Sequence, residues 1–183
     1  MRILLLLVLV ISATAANAGQ AIESARPVKT EFIGNSLGWE VKVQHDYLGV
    51  TIKRVPRYAT ATDLILVTDD GLEAYDISKD GTSLRNDDRR ILRDGETVEF
   101  APARALVLEM PSKVEKVQWT RPLALQIQVV VDGRFIAAKY APYSGLTLHG
   151  PRRMTVTTDA GSYTFDVAES NGGAPIYRVE SHH

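Results

Sequence analysis

The chain has no cysteine in its 183 residues. This excludes disulfide cross-links, cysteine-ligated zinc or iron–sulfur centres and a thiol nucleophile. An excess of one charge is also missing. Lys and Arg number 21 against 22 Asp and Glu, a formal net charge of −1, whereas a dedicated nucleic-acid binder carries a basic surplus. No nucleic-acid partner is expected. Beyond the first 18 residues no apolar run approaches the roughly 20 residues that a spanning helix needs, so no membrane span is expected in the mature chain. There is no Walker-type glycine loop, HExxH or heptad repeat, and no amphipathic helix with a convincing N-cap. None of Asn17, Asn35, Asn86 and Asn171 opens an N-x-S/T sequon, which favours a bacterial periplasmic or secreted protein.

The amino terminus has the layout of an address. Met1 and Arg2 form a short positive region, Ile3–Ile11 is unbroken apolar sequence, and Ser12–Ala18 is small and polar, ending Ala16-Asn17-Ala18 before Gly19. That order is the signature of a secretory signal peptide with an A-x-A cleavage site, predicted over residues 1–18. No cysteine follows for a lipid anchor. The mature chain would begin at Gly19 and lie in the periplasm or outside the cell. At its length it should bury close to about 70% of its unfolded surface, enough to fold without cross-links.

After Gly19 the dominant apolar period is two. Trp39, Val41 and Val43 alternate with Glu40, Lys42 and Gln44, and Tyr163, Phe165 and Val167 alternate with Thr164 and Asp166. Leu123, Leu125, Ile127 and Val129, and then Met154 and Val156, follow the same rule. Each run buries one face and solvates the other, as antiparallel strands do. Turn signals recur at short intervals: Asp70-Gly71, Asp80-Gly81, Asp94-Gly95 and Asp132-Gly133, with Asp159-Ala160-Gly161 as a longer variant. Strands are predicted at 28–33, 38–45, 48–55, 63–68, 72–78, 97–100, 104–110, 114–119, 123–131, 134–140, 145–148, 152–158, 162–167 and 175–180. The fold class read from this is all-β, an antiparallel β-sandwich.

One internal similarity stands out. Thr68-Asp69-Asp70-Gly71 leads to Tyr75-Asp76-Ile77, and Thr158-Asp159-Ala160-Gly161 leads to Phe165-Asp166-Val167, ninety positions on. A duplicated unit would give two small immunoglobulin-like halves, 19–111 and 112–183, divided near Pro111-Ser112. Two hairpins converging on one turn chemistry give instead a single sandwich over 19–183. Lys79–Glu96 reads as the main irregular stretch: a solvated loop of mixed charge, with one short helical turn over Asp87–Leu92.

The motifs that could carry chemistry are sparse. Gly34-Asn35-Ser36-Leu37-Gly38 matches G-x-S-x-G, but a strand follows it where a nucleophile elbow needs a helix. A turn is expected there, and neither His45 nor His149 is placed by spacing to serve Ser36 as a base. Asp76, Ser78 and Asp80, with Gly81 and then Asp87, fall near the oxygen-ligand frame of a calcium loop, though Asp87 stands where glutamate is usual. These four are the candidate calcium ligands; no other cofactor is expected. His182 and His183 read as a frayed tail, Trp39 and Trp119 as core anchors, and Tyr140, Tyr143 and Tyr177 as a carbohydrate platform or as packing. Arg152 and Arg153 form too small a basic spot for a nucleic-acid face.

These readings converge on an exported, non-enzymatic protein. It would act through contacts with another envelope or secreted protein as an assembly or accessory factor, by edge-strand pairing and loop contacts. Segments 79–96 and 175–180 are the expected contact regions. The alternative is a carbohydrate- or calcium-binding module.

Overall fold

The computed structural model describes residues 19–85, 89–101, 103–120, 127–140, 152–170 and 176–181. The expected signal segment 1–18 lies outside the described residues, as do the strand expected at 145–148, Asp87, Tyr143, His149, His182 and His183. The described residues contain strands and turns and no helix. The strands are β1 (Gln20–Glu23), β2 (Val28–Ile33), β3 (Trp39–Val43), β4 (Gly49–Arg54), β5 (Thr62–Thr68), β6 (Gly71–Ser78), β7 (Gly81–Leu84) and β8 (Arg89–Leu92). They continue as β9 (Thr97–Phe100), β10 (Leu106–Glu109), β11 (Val114–Trp119), β12 (Ile127–Asp132), β13 (Phe135–Tyr140), β14 (Arg153–Thr158), β15 (Gly161–Glu169) and β16 (Ile176–Val179).

Four sheets result. Sheet I has the order β1-β4-β3, sheet II β2-β5-β6-β7, sheet III β12-β13-β10-β16-β8 and sheet IV β11-β14-β15-β9. Pairing is antiparallel except at β10–β16, β16–β8 and β15–β9. The sheets stack in sequence, and three apolar clusters fill the gaps. Ile22, Trp39, Val50 and Ile52 of sheet I meet Val28, Leu64, Leu66 and Ile77 of sheet II. The opposite face of sheet II, with Phe32, Ile65 and Ala74, meets Val107, Ala137 and Ile176 of sheet III. Leu106, Leu108, Ile136 and Tyr177 of sheet III meet Met154, Val156, Tyr163 and Phe165 of sheet IV. The alternation of period two thus serves both faces of the inner sheets. Every residue of β5 is buried because Leu64 and Leu66 face one cluster and Ile65 the other.

The two outer pairs of sheets repeat each other. In the first, Ile22 stands opposite Val50 and Glu23 opposite Gly49; in the second, Leu108 stands opposite Ile136 and Glu109 opposite Phe135, each eighty-six positions on. The crossing into the facing sheet is the same in both. Ser24 N donates to Leu48 O and Val28 N to Tyr47 O; Met110 N donates to Arg134 O and Val114 N to Gly133 O. The β2–β5 ladder shifts register between Val28 and Thr30, and the β11–β14 ladder shifts between Val114 and Lys116. Strands β1 to β6 therefore correspond in order to β10 to β15.

The hairpins after β5 and β14 close alike. The Thr68 hydroxyl donates to Gly71 O at 3.2 Å and the Thr158 hydroxyl to Gly161 O at 2.9 Å. Ser78 and Gly81 use the same turn at 3.4 Å, so the turn alone would be weak proof of duplication. The shared bulge and crossing bonds are what mark the equivalence.

Three expectations are corrected. Segment 79–96 is not one irregular loop: it holds β7 on the edge of sheet II and β8 on the edge of sheet III. Asp87–Leu92 forms no helical turn in its described part, since Arg89–Leu92 is strand β8, held by parallel pairing to β16. The strand expected at 175–180 as a contact region is β16, and it is an interior strand between β10 and β8, so it offers no edge for pairing. The sheets change over between Leu84 and Arg89, and β8, β9 and β10 join sheets III and IV ahead of Pro111-Ser112.

Candidate functional site: the edge of the first sheet

Equivalent strands β1 and β10 have different surroundings. All four residues of β10 are buried, between β13 on one side and β16 on the other. In β1 only Ile22 is buried, and among the described residues β4 is its only strand partner. Because Ser24 N is bonded toward β4, ladder alternation turns the backbone groups of Ile22 inward and those of Ala21 and Glu23 outward. The Glu23 carbonyl meets the Tyr75 hydroxyl at 3.4 Å, and that hydroxyl is held more closely by Glu73 at 2.8 Å. Burial, first, and the neighbouring Glu73 raise the Tyr75 phenol well above its ordinary range, keeping it a neutral donor. Gln20 Nε2 donates to Thr82 Oγ1 at 2.6 Å, bridging the margin where β1 and β7 end their sheets.

The contrast extends to charge. Glu109, equivalent to Glu23, is 4% exposed and ringed by cations. Arg134 Nη2 lies 2.7 Å from its Oε1, while Arg89 Nη1 at 3.2 Å and Arg178 Nε at 3.4 Å meet Oε2. Arg89 and Arg178 come from β8 and β16, the added strands. Glu23 is exposed and has no ion pair among the described residues. Among the described residues the first pair of sheets thus carries the carboxylate without a strand that would neutralise it.

Two other polar places lie along the sheet II–III seam. Asp63 is fully buried; its Oδ1 accepts Ala105 N at 2.8 Å, and Arg85 Nη1 lies 3.7 Å from Oδ2. Burial pushes its carboxyl up to about 6 against the opposing pull of Ala105 N–H, Arg104 and Arg85. Arg104 Nη1 bridges Asp76 Oδ1 at 2.6 Å and Thr62 O at 2.9 Å. Lys139, also buried, donates from Nζ to Ile33 O at 2.9 Å and sits 5.1 Å from the Phe32 ring centroid. Burial lowers its ammonium pKa. It borders a cleft of about 460 Å³ that Glu31, Ser36, Trp39, Glu40 and Gln128 also line. Thr30 Oγ1 donates to Asp132 Oδ2 at 2.6 Å across the same seam. These bonds tie one repeat to the other.

The residues singled out by sequence fall in separate places. Asp76 pairs with Arg104, and Ser78 and Asp80 belong to the β6–β7 hairpin, where Asp80 N donates to Ser78 Oγ at 3.1 Å. Among the described residues no three His, Asp or Glu side chains gather to hold a metal. Ser36 lies in a turn between β2 and β3, as expected. Asn35 Oδ1 accepts Leu37 N at 3.2 Å and Gly38 N at 3.0 Å there, and β3 follows where a nucleophile elbow would have a helix. His45 sits in the distant β3–β4 turn. Trp39 is buried with its indole N–H donating to Thr60 O at 2.8 Å, and Trp119 is half-buried against the sheet III–IV cluster. Tyr177 faces that cluster and its hydroxyl accepts Glu99 N at 2.9 Å, so it is packing and not a platform.

Sequence reasoning missed β1 altogether. A signal was present: Ala21-Ile22-Glu23 and Val107-Leu108-Glu109 share an aliphatic-aliphatic-glutamate pattern eighty-six positions apart.

The fold defines a class: a stacked, internally repeated β-sandwich. No protein-family model matches the chain, and no curated protein does. Among solved structures, an endo-fucoidan hydrolase from glycoside hydrolase family 107 aligns with a TM-score of 0.27 and 9% identity. The alignment covers 88% of this chain and 26% of that one, and a likeness this slight carries no inference.

Proposed function

We propose that the chain is an exported, non-enzymatic β-sandwich protein. It works through protein–protein contacts in the cell envelope or outside the cell, as an assembly or accessory factor. The observation that carries this reading is the margin of β1, which no described strand covers. A strand edge offers a row of unmet N–H and C=O groups to any extended chain, and edge addition is a common route to peptide recognition. In the equivalent place on β10 that row is covered. The layout of residues 1–18 supports export.

A photo-crosslinking residue placed at Ala21, compared with the same residue placed in a second variant at exposed Lys116 of β11, tests the reading in the native compartment. A discrete adduct with another envelope or secreted protein is expected from position 21 and not from position 116. Equal labelling at both, or none at position 21, would sink it.

A further inference from the structure

The internal repeat supplies a template for what the β1 edge takes. Strand β16 runs parallel to β10, with Ile176 opposite Val107, Tyr177 opposite Leu108 and Arg178 opposite Glu109. Tyr177 enters the sheet III–IV cluster beside Leu108, and Arg178 reaches Glu109. Transferred by the repeat, those three places lie opposite Ala21, Ile22 and Glu23. Ile22 already belongs to the sheet I–II cluster, and the outward groups of Ala21 and Glu23 match those through which Val107 and Glu109 bond β16. Among the described residues the first repeat has no such strand: the chain after β6 turns back as β7, and β8 joins the far side of β16.

We infer that the β1 edge receives an extended segment of a second protein, running parallel to β1, with a large apolar side chain opposite Ile22 and a basic one opposite Glu23. This deepens, and rests on, the protein-binding reading above. A second copy of this chain is the poorer occupant. Strand β1 has no basic residue to set against Glu23, and the exposed β8 has its arginines engaged at home, Arg89 with Glu109 and Arg90 with Glu99. An added strand satisfies the outward N–H and C=O of Ala21 and the N–H of Glu23. It takes over the Glu23 carbonyl from the 3.4 Å Tyr75 hydroxyl contact and leaves that hydroxyl on Glu73. It also neutralises Glu23 and extends the apolar cluster past Ile22.

The probe is a synthetic peptide copying residues 174–180, Ala-Pro-Ile-Tyr-Arg-Val-Glu, added to the whole mature chain. Amide hydrogen exchange at Ala21 and Glu23 is read by NMR. Both amides are expected to exchange at loop-like rates alone and at least tenfold more slowly with saturating peptide. Replacing the peptide's arginine with glutamate should weaken binding at least tenfold, and Glu23→Lys should restore it. Ala21→Pro removes one outward N–H without touching the bonds to β4 and should abolish protection with the fold intact. The charge-swap pair carries the test if that variant does not fold.

Preference for the reversed-sequence peptide, or indifference to the charge swap, overturns the parallel register. A position-21 crosslink would still stand in that case, so the broader reading survives. Slow exchange at Ala21 and Glu23 in the monomer without peptide overturns both. Protection that grows with protein concentration alone names a second copy as occupant and overturns the inference.

Discussion

Asp63 brings a carboxylate into the seam between sheets II and III. Burial holds its pKa near 6, against an ordinary value of 3.8. Folding therefore takes up a proton at pH values between the two. The group's contribution to stability increases as pH falls through about 6 and levels off below about 4. For a shift of this size the gain from pH 7 to pH 4.5 is about 2 kcal/mol. Asp63→Asn keeps an acceptor for Ala105 N and loses the titration. Urea unfolding of both proteins should show the wild type gaining about 2 kcal/mol relative to the variant over that range. A difference that does not change with pH would show that Asp63 is not the titrating group. Little of this was legible beforehand, because Thr62-Asp63 opens an apolar strand as any solvated pair of residues might. Turn chemistry was legible in kind and not in detail. Asp70-Gly71 and Asp80-Gly81 do mark hairpins, but each glycine begins the next strand, at φ 138° and 141°, and the turn residues are Asp69-Asp70 and Lys79-Asp80.

At the scale of elements, strands that alternate over five or more residues announced themselves, as β3, β14 and β15 did. The four-residue strands β1, β7 and β8 did not. Each turns few side chains toward a cluster (Ile22 in β1, Leu92 in β8), and period two cannot be read from a single apolar residue. Parallel pairing of β8 to β16 leaves no local trace either, because the two strands are far apart in the chain. Local periodicity hid the candidate site on β1 for the same reason, and only the comparison with Val107-Leu108-Glu109 at an offset of eighty-six could have found it. The equivalent turns before β4 and β13 give a prediction at this scale. Tyr47 and Gly133 both occupy the left-handed region, at φ 61° and 59°. A Cβ at Gly133 would meet nothing within 4 Å, so Gly133→Ala should cost about 1 kcal/mol through backbone conformation alone. Tyr47 is 59% exposed, and Tyr47→Gly should gain about 0.5 kcal/mol by relieving the same strain. Denaturant midpoints should move in opposite directions; movement in the same direction would mean that the two turns are not equivalent.

The whole molecule is held in one stack by the middle cluster, and its cooperativity depends on that layer. Sheets I and II share one core and sheets III and IV another, so either pair could in principle unfold alone. Phe32, Ile65 and Ala74 against Val107, Ala137 and Ile176 join them, reinforced by Lys139 to Ile33 O, Thr30 to Asp132 and Asp63 to Ala105 N. The chain carries its own reporters, since Trp39 lies in the first pair of sheets and Trp119 in the second. With single-tryptophan versions, Trp39→Phe and Trp119→Phe, the two fluorescence transitions in urea should coincide in an otherwise wild-type chain. Ile65→Ala empties a buried position in the shared layer and Leu66→Ala empties one in the sheet I–II core; each should cost about 2–5 kcal/mol. Their consequences differ. Leu66→Ala weakens the first pair while the coupling persists, so both reporters should shift together. Ile65→Ala weakens the coupling itself, so the Trp39 transition should move to lower urea and separate from that of Trp119. Coincident transitions in Ile65→Ala, or separate ones before any core substitution, would show that the middle layer is not the joint that makes the two sandwiches one.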